Sequence, residues 1–552
     1  MIKAQLKERL HQCFEAGVEK GYWTAAAAGD YGLEVPKNPD HGDFSTNMAM
    51  IMAGKERKNP RELAAHVVEL LSVHTDLVER LEIAGPGFVN IVVPASVWQA
   101  VLPQVCNGGE QFGLSRLGEG KKVLVEFVSA NPTGPLSVGH GRQAVLGDAI
   151  ARLLAAVGYA VDREYYYNDA GRQMRVLGES TKARYLELLG LPFEFPEDGY
   201  QGDYIVDIAR QLKDSKGDSL KDTVEVEPFK EAAEQEIFKD IDSTLKRLSI
   251  HFDNYFNEHT LYEDGKIDEV VAALREKGLV YDKDDAVWFR TTDFGHDKDR
   301  VLIKSTGEPT YRLPDIAYHR EKFRRGYDWM VDIFGSDHIA TVPDVLAGVN
   351  ALGYDESKVT VVLHQFVTLV RDGKQVKMST RKATFVTVDE LLDEVGIDVA
   401  RFFFLMRKAD SQLEFDLDLA TKESQENPVY YVQYGHARLV SIQKQAEAKG
   451  ISKGELATVD LAMLVEPEEL VLLKSLAAYP GLVESAAQAL EPHRLIFFLQ
   501  DLAGQFHSYY NKHRVLVEDA ELARARLWLA ESVRVVLRNG LNLVGVSAPD
   551  SM

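Results

Sequence analysis

The spacing of apolar positions changes along the chain, and each change marks an element. From Lys122 to Ser129 the run "KVLVEFVS" is short, apolar and rich in β-branched residues, the pattern of a buried strand. After a turn broken by Pro132, Gly134 and Pro135 the period becomes helical. Leu146, Ala149, Ile150, Leu153, Leu154 and Val157 fall on one face, and Gly158 is placed to stop the helix. "YAVDREYYYND" then reads as the next strand. Strand, tight loop, helix and strand form a βαβ unit, which requires a parallel sheet.

The same reading divides the rest of the chain. Residues 1–106 predict a small α+β domain: a helix at "NPRELAAHVVELL", opened by Asn59-Pro60, a turn at "NPDHGDFSTNMAMIMA", and strands around "LEIAGPGFVNIVV". "NGGEQFGLSRLGEGKK" (Asn107 to Lys122) has the glycine and charge of a linker. A parallel α/β domain is expected over 119–425, interrupted by a polar, helix-rich segment at about 180–300, with strands resuming at "MVDIFG" and "KVTVVLHQF". From 426 to 552 the pattern is helical throughout, an all-α bundle.

Composition narrows the function classes. A chain of 552 residues has room for about three or four domains. The net charge of −22 argues against indiscriminate nucleic-acid binding but leaves room for a local basic face. Only Cys13 and Cys106 occur, in no C-x-x-C frame, so neither structural zinc nor a disulfide framework is expected and a reducing compartment fits. The N-terminal "MIKAQLKERLHQCFEAG" is a charged amphipathic helix rather than a secretory signal. With no uninterrupted apolar run near the ~20 residues of a membrane span, a cytoplasmic protein with no membrane partner is expected.

Candidate chemistry lies where the first strand feeds its helix. Ligands of parallel sheets bind at the carboxyl ends of strands, facing helix N-termini. Gly139 and Gly141 would let a base or phosphate approach the backbone, and His140 and Arg142 offer donors to phosphate or ribose. Taken alone, an ordinary helix start explains them equally well. Further on, "RDGKQVKMSTRKATFVTVDELLDEVG" places Lys377, Arg381 and Lys382 in a glycine-flanked basic loop suited to a departing pyrophosphate. Alone, this is also the sequence of a solvated loop.

Together the two segments resemble the paired H-x-G-H and K-M-S-K-S signatures of class I aminoacyl-tRNA synthetases. Here they read "SVGH" (Ser137 to His140) and "KMSTR" (Lys377 to Arg381). "SANPTGPLSVGHGR", "REYYYNDAGRQ", "DRVLIKSTGEPTYRLPDIAYH" and "GSDH" resemble the catalytic core of the arginyl-tRNA synthetase family, bacterial type. "NPDHGDFSTNMAM" and "AGPGFVN" resemble its N-terminal domain, and "YVQYGHARLVSI", "LAGQFHSYYNKHRVL" and "VGVSAPDSM" its anticodon-binding bundle.

The resemblance implies a Rossmann-like catalytic domain and ATP-dependent attachment of L-arginine to tRNA(Arg) through arginyl-adenylate. ATP would enter as its Mg2+ complex. It implies catalytic roles for Ser137, Gly139, His140, Lys377, Met378, Ser379 and Arg381. ATP contacts would come from Gly139, His140, Arg142, Lys377, Asp337 and His338. The arginine site would comprise Glu126, Ser129, Asn131, Tyr311 and Asp315. A guanidinium is a planar five-donor cation, best held by carboxylates beside an aromatic ring. Carboxylates left unpaired by a neutral amino acid would reject it without an editing site. In the bundle, Tyr434, His436, Arg438, Tyr509, Asn511 and Arg514 interleave aromatic and polar or basic groups suited to unpaired anticodon bases, although a buried aromatic stripe explains part of this pattern. The family is usually monomeric and generally needs tRNA bound before it activates arginine.

Two positions depart from the superfamily pattern. Ser137 replaces the first histidine of one signature, and Thr380 the second lysine of the other. Losing such a donor typically costs about 3 kcal/mol of transition-state stabilisation. Arg381 or Lys382 stands within two positions of the missing lysine. The departures keep two alternatives in view: a non-catalytic tRNA-binding relative, and another H-x-G-H nucleotidyltransferase.

Overall fold

The computed structural model of the protein describes residues 2–376 and 386–552. Lys377, Met378, Ser379, Thr380, Arg381 and Lys382 of the basic loop lie outside the described residues.

The central element is a five-stranded sheet with strand order Val359–His364, Trp329–Gly335, Lys122–Glu126, Ala160–Tyr167 and Asn254–Asn257. All its pairings are parallel, so every carboxyl end lies on one edge. The helix Val138–Ala156 follows the middle strand and is buried on nearly every side, which explains its run of small and branched residues. Gly158 ends the turn after it with φ +94°.

The segment at 180–300 contains the expected helices, including Asp203–Lys216 and Glu227–Arg247. It also contributes to a three-stranded antiparallel sheet (Val280–Lys283, Ala286–Phe289 and Arg300–Ile303), which the polar reading missed. These strands are four residues each, too short for alternation to stand out against their charged flanks.

The N-terminal region joins four antiparallel strands to the helices Met48–Glu56 and Pro60–Leu71, the latter capped by the Asn59 side chain accepting from Arg61 N–H. The expected boundary at residue 106 falls inside the helix Val101–Gly108. The stretch read as a linker is a packed strap. Asn539 Nδ2 donates to Gly109 O at 2.8 Å and Phe112 O at 3.1 Å, and the Phe112 ring stacks on Tyr479.

The C-terminal bundle contains the helices Pro428–Ala448, Pro467–Ala489, His493–Lys512 and Ala520–Leu543. By length and composition Pro467–Ala489 is apolar enough to cross a membrane, contrary to the expectation of no such run. It is a core helix of the bundle: Leu472, Leu473, Leu476, Tyr479 and Val483 are buried. Three regions meet at Arg401. Its guanidinium donates to Val544 O, Leu248 O and the buried Asp148 carboxylate of the central helix.

Candidate active site

A cavity of about 860 Å³ opens at the carboxyl ends of the central strands. Glu126, Ser129, Asn131, Ser137, Gly139, His140, Tyr311, Asp315, Asp337 and His338 all line it. Residues separated by up to about two hundred positions converge because a parallel sheet places each strand end, and the loop after it, on one rim.

Glu126, which lines the cavity, belongs to a row of carboxylates at the ends of adjacent strands. Glu126 is in register with Asp332 on one neighbouring strand and with Glu164 on the other. All three are buried, at 2%, 0% and 0% exposure. Such a row is tolerable only if cations and donors cover it; the cations come from one helix, Arg312–Arg324, and the residue after it, and Asn254 Nδ2 adds a donor to Glu164 at 2.5 Å. Lys322 Nζ donates to Glu126 Oε2 at 2.5 Å and to Asp332 Oδ1 at 2.6 Å. His319 Nε2 pairs with Asp332 Oδ2 at 2.9 Å. Arg325 binds both oxygens of Glu164, and Tyr318 Oη donates to Glu164 Oε1 at 2.5 Å.

Glu126, expected in the arginine site, lines the cavity with both of its oxygens already engaged by protein groups. One of its oxygens holds Lys322 and the other accepts from Ser129 Oγ at 3.0 Å. Asp315 differs: among the described residues no side-chain donor reaches its carboxylate, and burial pushes its carboxyl up to about 7. Glu258, which the sequence reading missed, also lines the cavity, is buried, and is raised by desolvation. Among the described residues Lys322 and Arg325 pair with Glu126, Asp332 and Glu164, and no ion pair reaches Asp315 or Glu258.

The missed residues had one sequence signal: a charge set inside an apolar strand, as in "MVDIFG" for Asp332. Tyr311 stands at the rim, 82% exposed, rather than packed over Asp315. Asn131 Nδ2 donates to Gln173 Oε1 at 2.9 Å. The backbone turns sharply between these groups, with Val128 at φ 67° and Ser129 at φ 40°. Left-handed non-glycine residues cost on the order of 1–3 kcal/mol each and concentrate at functional sites.

At the other end, Ser137 caps the helix Val138–Ala156. Its N–H donates to His140 Nδ1 at 3.3 Å, and its hydroxyl lies 3.2 Å from the same nitrogen. This leaves Nε2 as the protonated nitrogen of a neutral ring, and burial holds the His140 pKa below its ordinary value. His364, another residue missed in the sequence, lines the same region, and desolvation lowers it to about 4. Ser137 also forms a backbone bridge with Thr387, the cap of the helix Val388–Val395.

Two expectations here are corrected. Arg142 is 1% exposed and donates to Gln365 O and Lys408 O at 2.7 and 3.0 Å, so it braces the strand ends instead of facing a phosphate. A Cβ on Gly141 would stand 2.9 Å from Val388, so this glycine serves packing, whereas a Cβ on Gly139 would meet only Ser137 Oγ, at 3.7 Å. Asp337 and His338 are on the expected side of the cavity, both substantially exposed.

In the bundle, Tyr434, Arg438, Asn511 and Arg514 reach the surface in part or in full. Arg438 stacks over the rings of Tyr434 and Tyr510 at 4.6 and 5.0 Å. His436 and Tyr509 are buried: His436 Nδ1 pairs with Pro549 O at 2.9 Å, and Tyr509 packs toward Glu469. Their contribution is to the core. Among the described residues no cluster of histidine, cysteine or carboxylate side chains is arranged to hold a metal ion.

Comparison with known proteins covers the whole chain. The family model of the arginyl tRNA synthetase N terminal domain matches residues 1–93, that of the class I (R) tRNA synthetase catalytic domain residues 102–416, and that of the DALR anticodon binding domain residues 432–552. An arginine–tRNA ligase of Desulfotalea psychrophila is 65% identical over 552 residues, covering 100% of both chains. One from Syntrophotalea carbinolica is 50% identical over 554 residues, again covering 100% of both. The solved arginyl-tRNA synthetase of Thermus thermophilus shares the fold, with a TM-score of 0.76 at 23% identity and 100% coverage of both chains. The chain belongs to the class I arginyl-tRNA synthetases, the ATP-dependent ligases that attach arginine to tRNA for translation.

Proposed function

We propose that the cavity at the strand ends binds L-arginine at its carboxylate end and Mg·ATP at its helix end. The observation that carries this reading is Asp315, a half-buried carboxylate on the cavity wall that no side-chain donor reaches among the described residues. The arginine guanidinium docks against Asp315 and Glu258, with Tyr311 closing over it from the rim. Ser129 and Asn131 receive its α-amino and carboxylate groups.

At the other end Gly139 lets the nucleotide approach the helix start, and His140 Nε2–H donates to a phosphate oxygen. Asp337 and His338 border the nucleotide. Lys377, Met378, Ser379 and Arg381 are assigned to the phosphates from the family signature. The arginine carboxylate attacks the α-phosphorus, and pyrophosphate leaves. The terminal ribose hydroxyl of tRNA then takes the arginyl group and releases AMP. Catalysis consists of positioning and phosphate-charge stabilisation, without a protein nucleophile.

In this reading residues 1–106 contact tRNA, residues 119–425 carry the chemistry and residues 426–552 read the anticodon. Tyr434, Arg438, Asn511 and Arg514 form the reading surface. The enzyme works as a cytoplasmic monomer and activates arginine only with tRNA bound. The test is aminoacylation of bacterial tRNA with each amino acid in turn, together with ATP–pyrophosphate exchange with and without tRNA. Arginine alone should be charged, and exchange should require tRNA. Robust exchange without tRNA would refute the ordered scheme.

A further inference from the structure

A lysine sits where an arginine-specific pocket has its densest negative charge. Lys322 is fully buried, and its ammonium is divided between Glu126 and Asp332, with the Tyr318 ring 4.3 Å away. Two of its N–H bonds go to carboxylates and the ammonium faces the Tyr318 ring. The helix Arg312–Arg324 carries Asp315 and Lys322 seven residues apart, which places them on one face, two turns apart. The residue that offers a free carboxylate and the residue that consumes one are therefore held rigidly together.

We propose that Lys322 is a positioning residue for the amino-acid substrate: it occupies Oε2 of Glu126 as an internal cation, leaves Oε1 to Ser129, and thereby directs the substrate guanidinium to Asp315 and Glu258. The inference rests on the reading of this cavity as the arginine site. Without Lys322, Glu126 and Asp332 would form a second, deeper cation site competing with the productive one. With it, a single register remains for the substrate side chain, and a lysine substrate finds the ammonium position between Glu126 and Asp332 already filled.

The test is steady-state aminoacylation by Lys322→Ala, Lys322→Arg and Glu126→Gln, with and without methylammonium or ethylammonium as probe. In Lys322→Ala the KM for arginine should rise at least tenfold with a smaller change in kcat, and the alkylammonium ion, filling the vacated position, should lower KM again. Lys322→Arg, which keeps the charge, should retain more of the arginine affinity than Lys322→Ala.

An unchanged KM in Lys322→Ala, or a raised KM that alkylammonium ions do not lower, would overturn the proposal, provided Glu126→Gln still raises KM. An unchanged KM in Glu126→Gln would instead overturn the site reading beneath it. Should Lys322→Ala fail to fold, Lys322→Met combined with Asp332→Asn restores the charge balance while leaving Glu126 unpaired. A wild-type KM in that variant also overturns the proposal.

Discussion

Glu126 and Asp332 stand opposite one another on adjacent parallel strands, both buried, and share the ammonium of Lys322. Neighbouring strands are about 4.8 Å apart, a spacing at which two buried carboxylates repel strongly unless a cation lies between them. The shared lysine lets the sheet end in carboxylates. It also leaves Asp315, one turn from His319 on the same helix, as a carboxylate that no side-chain donor reaches among the described residues.

Asp315→Asn should therefore weaken arginine binding more than any other single carboxylate change in the cavity. Charge-assisted hydrogen bonds contribute about 1.5–3 kcal/mol, which corresponds to a rise in arginine KM of about 10- to 150-fold. Arginine-dependent charging at saturating ATP and tRNA measures it, and a KM within a factor of two of wild type would remove Asp315 from the site.

Arginine binding should be coupled to a proton. Burial raises the free Asp315 carboxyl to about 7, so it is mostly protonated at pH 6 and mostly ionised above pH 8. A bound guanidinium favours the ionised form and pulls the pKa down, so binding releases a proton below pH 7 and tightens as pH rises through that value. Calorimetry in buffers of different ionisation enthalpy should show release approaching one proton at pH 6 and vanishing near pH 9. Asp315→Asn should abolish the release.

His140→Ala should lower kcat by about 10²- to 10³-fold, the usual effect of removing a donor to developing charge. Ser137→Ala should cost less than tenfold, because the Ser137 N–H also donates to His140 Nδ1 and keeps the ring in the same tautomer. Single-turnover transfer compared with adenylate formation would separate the two steps. An equal loss in both variants would contradict this division of labour.

Gly545→Ala and Gly481→Ala should shift stability in opposite directions. Gly545 has φ +69°, and a Cβ there would stand 2.1 Å from the Arg401 guanidinium that joins Val544, Leu248 and Asp148. Breaking such a buried network costs about 3–5 kcal/mol. Gly481 lies inside the helix Pro467–Ala489 with open space around it, so alanine there should stabilise by about 0.5–1 kcal/mol. Thermal denaturation of both variants decides it.

Arg438→Ala should raise the KM for tRNA several-fold and leave the KM for arginine unchanged, since its guanidinium lies on a surface aromatic stack far along the chain from the cavity residues. His436→Ala should lower the melting temperature instead, because its ring is buried against Pro549 O. If His436→Ala affected tRNA affinity alone, the assignment of that residue to the core would be wrong.

The residues of the cavity were legible where they occupy strand ends and helix starts. Glu126, Ser129, Ser137, Gly139 and His140 follow from one βαβ unit, and the family signature places Tyr311 and Asp315 beside them. Glu258, His364, Lys322 and Asp332 were not legible, because each comes from a different element and only the sheet's strand order brings them together. Arg142 and His436 misled for the opposite reason: a charged or aromatic residue next to a motif looks available for a ligand until the neighbouring backbone carbonyls that claim it are known.

By itself the sequence determined the local periods, and hence the strands, the central helix and the bundle, because alternation and helical spacing are written in consecutive residues. It also determined the family, because the signature words occur in the family's order along the whole chain. Only the tertiary structure decided the charge state of the pocket. A carboxylate's role depends on which cation reaches it, and the cation that reaches Glu126 is 196 positions away, delivered by a helix packed across the sheet.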